Sequence, residues 1–122
     1  MTDNARNPKI IFFDIDGTLV SFQTHRVPQS AIQAIHRIRE KGVEVWIATG
    51  RPIPFIDNLG ELEYDGIISV NGAHCQKKDG TVIFSRPVEQ EDVERMIEEQ
   101  KKTGKAVVYA GNDKAILVAP KG

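Results

Sequence analysis

Only one cysteine, Cys75, stands among the 122 residues. That count excludes an internal disulfide and a multi-cysteine zinc site, and it fits a reducing compartment. Excess charge of either sign is also missing. A formal net charge of −1 gives no electrostatic pull toward nucleic acid or an anionic membrane, so neither is expected as a partner. No apolar run approaches the length that spans a bilayer. Residues 1–9 are polar and lack the apolar centre of a signal peptide, which makes the cytoplasm the expected location. Hydrophobic content of 40% and charged content of 27% are ordinary for a soluble globular chain, and the length suits one small domain with a modest core.

Against these absences one stretch stands out, Ile10-Ile11-Phe12-Phe13-Asp14-Ile15-Asp16-Gly17-Thr18-Leu19. Its apolar start shows no polar alternation, the pattern of a parallel strand covered on both faces. Such a strand delivers Asp14 and Asp16 at its carboxyl end, where open α/β sheets place ligands. Side-chain alternation puts both carboxylates on one side of the strand, where they repel unless a cation or a shared proton lies between them. Gly17 permits close backbone approach, and Thr18 adds a hydroxyl beside expected free amides. The stretch reads as a place to hold Mg²⁺, with Asp14 and Asp16 as metal ligands, and a phosphoryl group. The plain alternative is a pair of turn-forming aspartates.

Along the rest of the chain, Ser30 and Gln33 have capping-box spacing after Pro28, and Ile32, Ile35 and Ile38 form a helical stripe that Gly42 stops. His36 on that helix reads as a surface or packed histidine. A second strand, residues 43–48, ends in Thr49-Gly50-Arg51-Pro52, where a hydroxyl and a glycine suit an anion. Residues 52–62 read as a short helix with Pro52 and Pro54 in its first turn, and Phe55, Leu59 and Leu62 facing the sheet. A third strand over 67–70 closes with Asn71-Gly72-Ala73. Beyond it the texture changes. Asp79-Gly80 signals a hairpin, residues 89–102 an amphipathic helix with Val93, Met96 and Ile97 on its apolar face, and Gly111-Asn112-Asp113 a second hairpin. The expected architecture is a Rossmann-like, parallel, three-layer α/β core over residues 1–73, incomplete, followed over 74–122 by the start of an α+β cap.

The string Asp14-Ile15-Asp16-Gly17-Thr18 resembles the first motif of the haloacid dehalogenase-like (HAD) phosphohydrolases. Thr49 matches their second motif, whose hydroxyl binds the transferring phosphoryl group. Ala48-Thr49-Gly50-Arg51 and Asn71-Gly72-Ala73 resemble the Cof-type branch, subclass IIB, sugar-phosphatase-like members with a large α/β cap. The resemblance implies a Mg²⁺-dependent phosphatase acting on a small phosphorylated metabolite through an aspartyl-phosphate. Asp14 would be nucleophile and Asp16 the acid and base. Phosphate-binding positions would be Gly17, Thr18, Thr49 and Gly50, and substrate-side candidates Arg51 and Asn71; Arg51 reads equally well as half of a surface ion pair, and Asn71 as a left-handed turn residue. Mg²⁺ would take the Asp14 carboxylate and the Asp16 carbonyl, and residues 20–27 would form a flap beside the site.

The resemblance covers only the family's amino-terminal part. Members carry a lysine motif and a later acidic pair, and neither has a counterpart in the sequence. Losing one preorganised electrostatic group costs about 3–4 kcal/mol. Losing two would suppress turnover by roughly 10⁴–10⁶. The chain alone is therefore expected to be weakly active or inactive. The second function class is a non-catalytic module that binds metal or phosphate weakly or self-associates through exposed strand edges. A receiver domain fits poorly, because its phosphoacceptor would follow a later strand.

Overall fold

The computed structural model describes residues 8–119; the polar start over 1–7 and Pro120 to Gly122 lie outside the described residues. The first strand, β1 (Ile10–Phe13), is followed by helix α1 (Gln29–Glu40) and strands β2 (Glu44–Ala48) and β3 (Gly66–Ser69). These three strands are parallel, with Phe13 beside Ile47 and Ile47 beside Ile67. Two further strands, β4 (His74–Lys77) and β5 (Val82–Ser85), form the hairpin that Asp79-Gly80 signals. Its Thr81 N–H bonds the Asp79 carboxylate at 2.9 Å. The hairpin does not stand apart, because β4 pairs antiparallel with β3 and the mixed sheet runs β1-β2-β3-β4-β5. The chain continues through helix α2 (Gln90–Thr103) into the two-stranded ribbon β6 (Val107–Ala110) and β7 (Ala115–Val118).

The core lies on the α1 side of the sheet. Ile15, Val45, Ile47 and Ile67 pack there with Ile35 of α1 and with Leu19, Val20, Leu59 and Leu62 from the loops. At the end of the strands opposite Asp14, the Asp65 carboxylate accepts a two-pronged bond from Arg39, at 2.9 and 3.3 Å, and another from the Val45 N–H at 2.8 Å. That arrangement ties the last turn of α1 to β2 and to the start of β3. Arg39 holds the Asp65 carboxyl below its usual range, helped by the Val45 N–H. His36 is exposed, against Glu40 at 2.9 Å and Glu63 at 3.2 Å, a surface role.

Four expectations change. First, β1 is an edge strand among the described residues and one of its faces is uncovered, so its burial alternates. Ile10 and Phe12 face outward, Phe12 by 51%, instead of being covered on both faces. Second, residues 52–62 form only one 3₁₀ turn, Ile53–Phe55. Pro54 brings no N–H to a helix, and Gly60 turns left-handed at φ 58°, so the segment runs irregular. Leu59 and Leu62 are buried as expected, whereas Phe55 is exposed. Third, α1 begins one residue before Ser30, and Pro28 is its cap without a side-chain hydrogen bond. Fourth, no residue of α2 is buried, and Met96 and Ile97 remain exposed. The cap of α2 follows expectation, with Gly104 left-handed and its N–H bonded to the Gln100 carbonyl at 2.8 Å.

Candidate functional site

The parallel strands leave their carboxyl ends side by side, and each ends in polar residues. After β1 the side chains keep alternating: Asp14 is exposed, Ile15 is fully buried and Asp16 is partly exposed. Ile15 acts as the anchor. Its carbonyl accepts the N–H groups of Thr18 and Val20, at 3.2 and 2.9 Å, and so closes a tight loop under the two carboxylates. Asp14 Oδ1 accepts the Ile15 N–H at 2.8 Å, which orients the carboxylate from its own backbone.

The loop uses amides that were expected to be free. The Gly17 N–H bonds the Val20 carbonyl at 2.9 Å, and the Thr18 N–H is spent on Ile15. Gly17 itself is left-handed at φ 81°, with the Phe22 ring close to where a Cβ would sit. The Thr18 side chain is exposed. The Asp16 and Gly50 N–H groups, in contrast, have no acceptor in the protein among the described residues. Spacing cannot separate spent amides from free ones, because that depends on which way the turn closes.

At the end of β2, Thr49 is buried and its Oγ1 accepts the Arg51 N–H at 3.0 Å. The Arg51 side chain turns back to β1. Its Nε and Nη2 donate to the two Asp16 oxygens at 2.8 and 2.7 Å, and Nη1 donates to the Phe55 carbonyl at 2.8 Å. Asp57 stands 3.6 Å from the same Nη1. The forked bond holds the Asp16 carboxyl below its usual range against opposing desolvation, with smaller help from the charges of Arg51 and His25. Arg51 is raised in turn by Asp16. Of the two roles open to Arg51 in the sequence, the structure displays an ion pair, and the partner is the proposed acid and base.

After β3 come Val70, Asn71 and Gly72, with Asn71 close to Gly50. Asp14, Asp16, Gly17, Thr18, Thr49, Gly50, Arg51 and Asn71 thus lie along one sheet edge, at the exits of β1, β2 and β3. An open cleft of about 620 Å³ adjoins Arg51 and is bordered by His25, Arg26 and Asp57. Sequence reasoning missed Phe55 and Asp57 as partners of Arg51. It also missed His25, left-handed at φ 56°, whose charge adds a little to the lowering of the Asp16 carboxyl. Nothing in residue type marks these three.

No cluster of three or more His, Cys, Asp or Glu side chains that could hold a metal occurs among the described residues. The donors at the β1 exit are two oxygens, the Asp14 carboxylate and the Asp16 carbonyl, and that carbonyl accepts no protein hydrogen bond among the described residues. Two hard oxygens suit Mg²⁺, which binds few protein ligands and keeps several waters. No helix of the described residues is long and apolar enough to cross a membrane.

Comparison with known proteins adds an independent observation. The family model for haloacid dehalogenase-like hydrolases matches residues 11–121. An HMP-PP phosphatase of Klebsiella pneumoniae is 28% identical over 107 residues, covering 86% of this chain and 39% of that protein. A HAD-superfamily phosphatase structure from Bacteroides thetaiotaomicron superposes with TM-score 0.74 at 35% identity, covering 89% of this chain and 41% of that one. A subclass IIB sugar phosphatase superposes with TM-score 0.77 at 41% identity, covering 93% and 45%. The chain spans 25% to 40% of the length of the first curated relatives it matches.

Proposed function

Because the chain belongs to the haloacid dehalogenase-like hydrolases, on its Cof-type, subclass IIB side, we propose that its sheet edge carries the phosphoryl-transfer half of a phosphatase for small phosphorylated metabolites. Sugar phosphates are the nearest substrate class, since a structurally similar relative is a sugar phosphatase. The observation that carries this reading is the pairing of Asp16 with Arg51 beside Asp14 and the buried Thr49. It joins the exits of β1 and β2 into one polar surface with two free N–H donors.

The chemistry divides among the chain's own groups. An Asp14 carboxylate oxygen attacks phosphorus and the bond to the leaving oxygen breaks, giving an aspartyl-phosphate. Asp16 gives its proton to the leaving oxygen, then takes one from the water that attacks the same phosphorus, which releases phosphate and restores Asp14. The Thr49 hydroxyl and the N–H groups of Asp16 and Gly50 are the donors for phosphoryl oxygens. The Asp14 carboxylate and Asp16 carbonyl would hold Mg²⁺, which when bound offsets the charge between nucleophile and phosphate. Gly17 shapes the turn, and the Thr18 hydroxyl stands ready at its rim. The acid step requires a proton on Asp16, so the Arg51 fork must part from it when substrate enters.

The sequence-based division into core and cap becomes a proposal with one refinement. Since the five-stranded sheet includes β4 and β5, the start of the cap is better set near residue 86 than at 74. Absence of the lysine and second acidic motif supports low turnover by the chain alone. The exposed β1 edge supports the second reading, a module that associates rather than catalyses.

The test compares the chain with Asp14→Asn on p-nitrophenyl phosphate with Mg²⁺. Slow hydrolysis that the substitution abolishes is expected. Equal background from both proteins would leave only the non-catalytic module.

A further inference from the structure

Three consecutive residues after β3 are left-handed: Val70 at φ 51°, Asn71 at φ 52° and Gly72 at φ 97°. Glycine enters this region freely and asparagine tolerates it, but a β-branched valine does not. A residue held there is strained and persists only where its surroundings over-determine it. Packing does not explain the cost, since Val70 remains 40% exposed.

Backbone bonding supplies the explanation. The turn aims the Val70 N–H at the Arg51 carbonyl, 3.4 Å away, and the Asn71 N–H at the Thr49 carbonyl, 3.2 Å away. A third bond, Ala73 N–H to the Val70 carbonyl at 3.1 Å, closes the turn on itself. The carbonyls of Thr49 and Arg51, on either side of Gly50, are therefore both held from the turn after β3, and the Gly50 N–H has no acceptor among the described residues. The Asn71 side chain lies against the same residue: a Cβ on Gly50 would sit 2.9 Å from Asn71 Oδ1. Gly50 is not left-handed, so glycine there provides room for the amide and not an unusual φ. The Asn71 amide makes no hydrogen bond within the protein among the described residues, and its oxygen and nitrogen both lie within 3.4 Å of where a Gly50 Cβ would sit.

We propose that the strained turn Val70-Asn71-Gly72 is a positioning element that holds the Thr49-Gly50-Arg51 loop in shape for a phosphoryl group, with the Asn71 amide as its contact across Gly50. This deepens the phosphatase reading and rests on it. Because Arg51 grips Asp16, one turn on β3 supports both the phosphate donors and the acid-base carboxylate.

Two substitutions isolate the contact. Asn71→Gly keeps the left-handed backbone and deletes the amide, whereas Gly50→Ala inserts a methyl group against it. The probe is inorganic phosphate with Mg²⁺, read by titration calorimetry, with thermal midpoints and amide hydrogen exchange followed in parallel. Each single variant is expected to bind phosphate about tenfold more weakly, Asn71→Gly with an unchanged thermal midpoint. In the double variant Gly50→Ala costs nothing further, because the atom it met is gone. The Val70 and Asn71 amides are expected to be protected from exchange in the unsubstituted protein. Unaltered phosphate affinity in Asn71→Gly, or the same cost of Gly50→Ala with and without the amide, overturns the proposal. Failure of the unsubstituted protein to bind phosphate overturns the phosphatase reading instead. The thermal double-mutant cycle then decides the turn: coupling between the two positions supports it and additivity overturns it.

Discussion

At Asp16 two demands meet: the proposed acid step needs a proton on the carboxyl, while the Arg51 fork at 2.7 and 2.8 Å favours its absence. Removing the guanidinium removes the largest cause of the lowered value. In Arg51→Ala, a carboxyl-carbon NMR titration should place the Asp16 midpoint higher, nearer the ordinary range for aspartate. An unmoved midpoint would mean the pair does not form in solution. Stability should hardly change. The pair is about one-third exposed on each side, and such surface ion pairs contribute about 0–1 kcal/mol. What the pair does contribute is present above the usual carboxylate range and is lost as pH falls through the lowered value. An ion pair was one of the roles legible for Arg51 in the sequence, but its partner was not. Asp16 and Arg51 are 35 positions apart, and only the adjacency of β1 and β2 lets an arginine after the second strand reach an aspartate after the first.

Among the elements, Asp65 has the same sign of pH dependence in a more sheltered setting. Arg39 lowers its carboxyl, so its contribution is complete above the ordinary carboxylate range and disappears as acid reaches the lowered value. Asp65→Asn weakens both prongs of the Arg39 bond and the acceptor for the Val45 N–H. A loss of about 1.5–3 kcal/mol is expected at neutral pH, measured by urea unfolding, and the difference from the unsubstituted protein should shrink at pH 3. A constant difference would show that Asp65 acts through packing. The parallel strands and α1 could be read from the sequence because each carries an uninterrupted apolar run or a helical stripe bounded by glycine, proline or aspartate. Residues 52–62 could not. Phe55, Leu59 and Leu62 imitate a helical stripe, yet Pro54 and the left-handed Gly60 deny the backbone its ladder. Likewise Asp79-Gly80 announced a hairpin but not its neighbour, since pairing with β3 is a tertiary choice. The third strand, expected to run through Val70, ends at Ser69 because Val70 already enters the left-handed turn.

Across the whole molecule the sheet has unequal margins. β4 and β5 extend it beyond β3, whereas among the described residues β1 is bonded on one flank only, to β2. Phe12, in register with Trp46, is 51% exposed there, and Phe84 at the far margin is 52% exposed. Open apolar strand edges recruit other chains, so concentration-dependent self-association is expected by sedimentation velocity. Phe12→Lys should reduce it; identical profiles for both proteins would remove this edge from consideration. The single-sided anchoring of β1 has a further result for control of the chemistry. Whatever lays its own backbone along the free flank of β1 would restrain the first residues of the Asp14 loop and crowd its mouth. Occupancy of that flank and entry of a phosphorylated molecule would then be thermodynamically linked, so a chain seated there could adjust affinity without ever touching the reacting phosphorus.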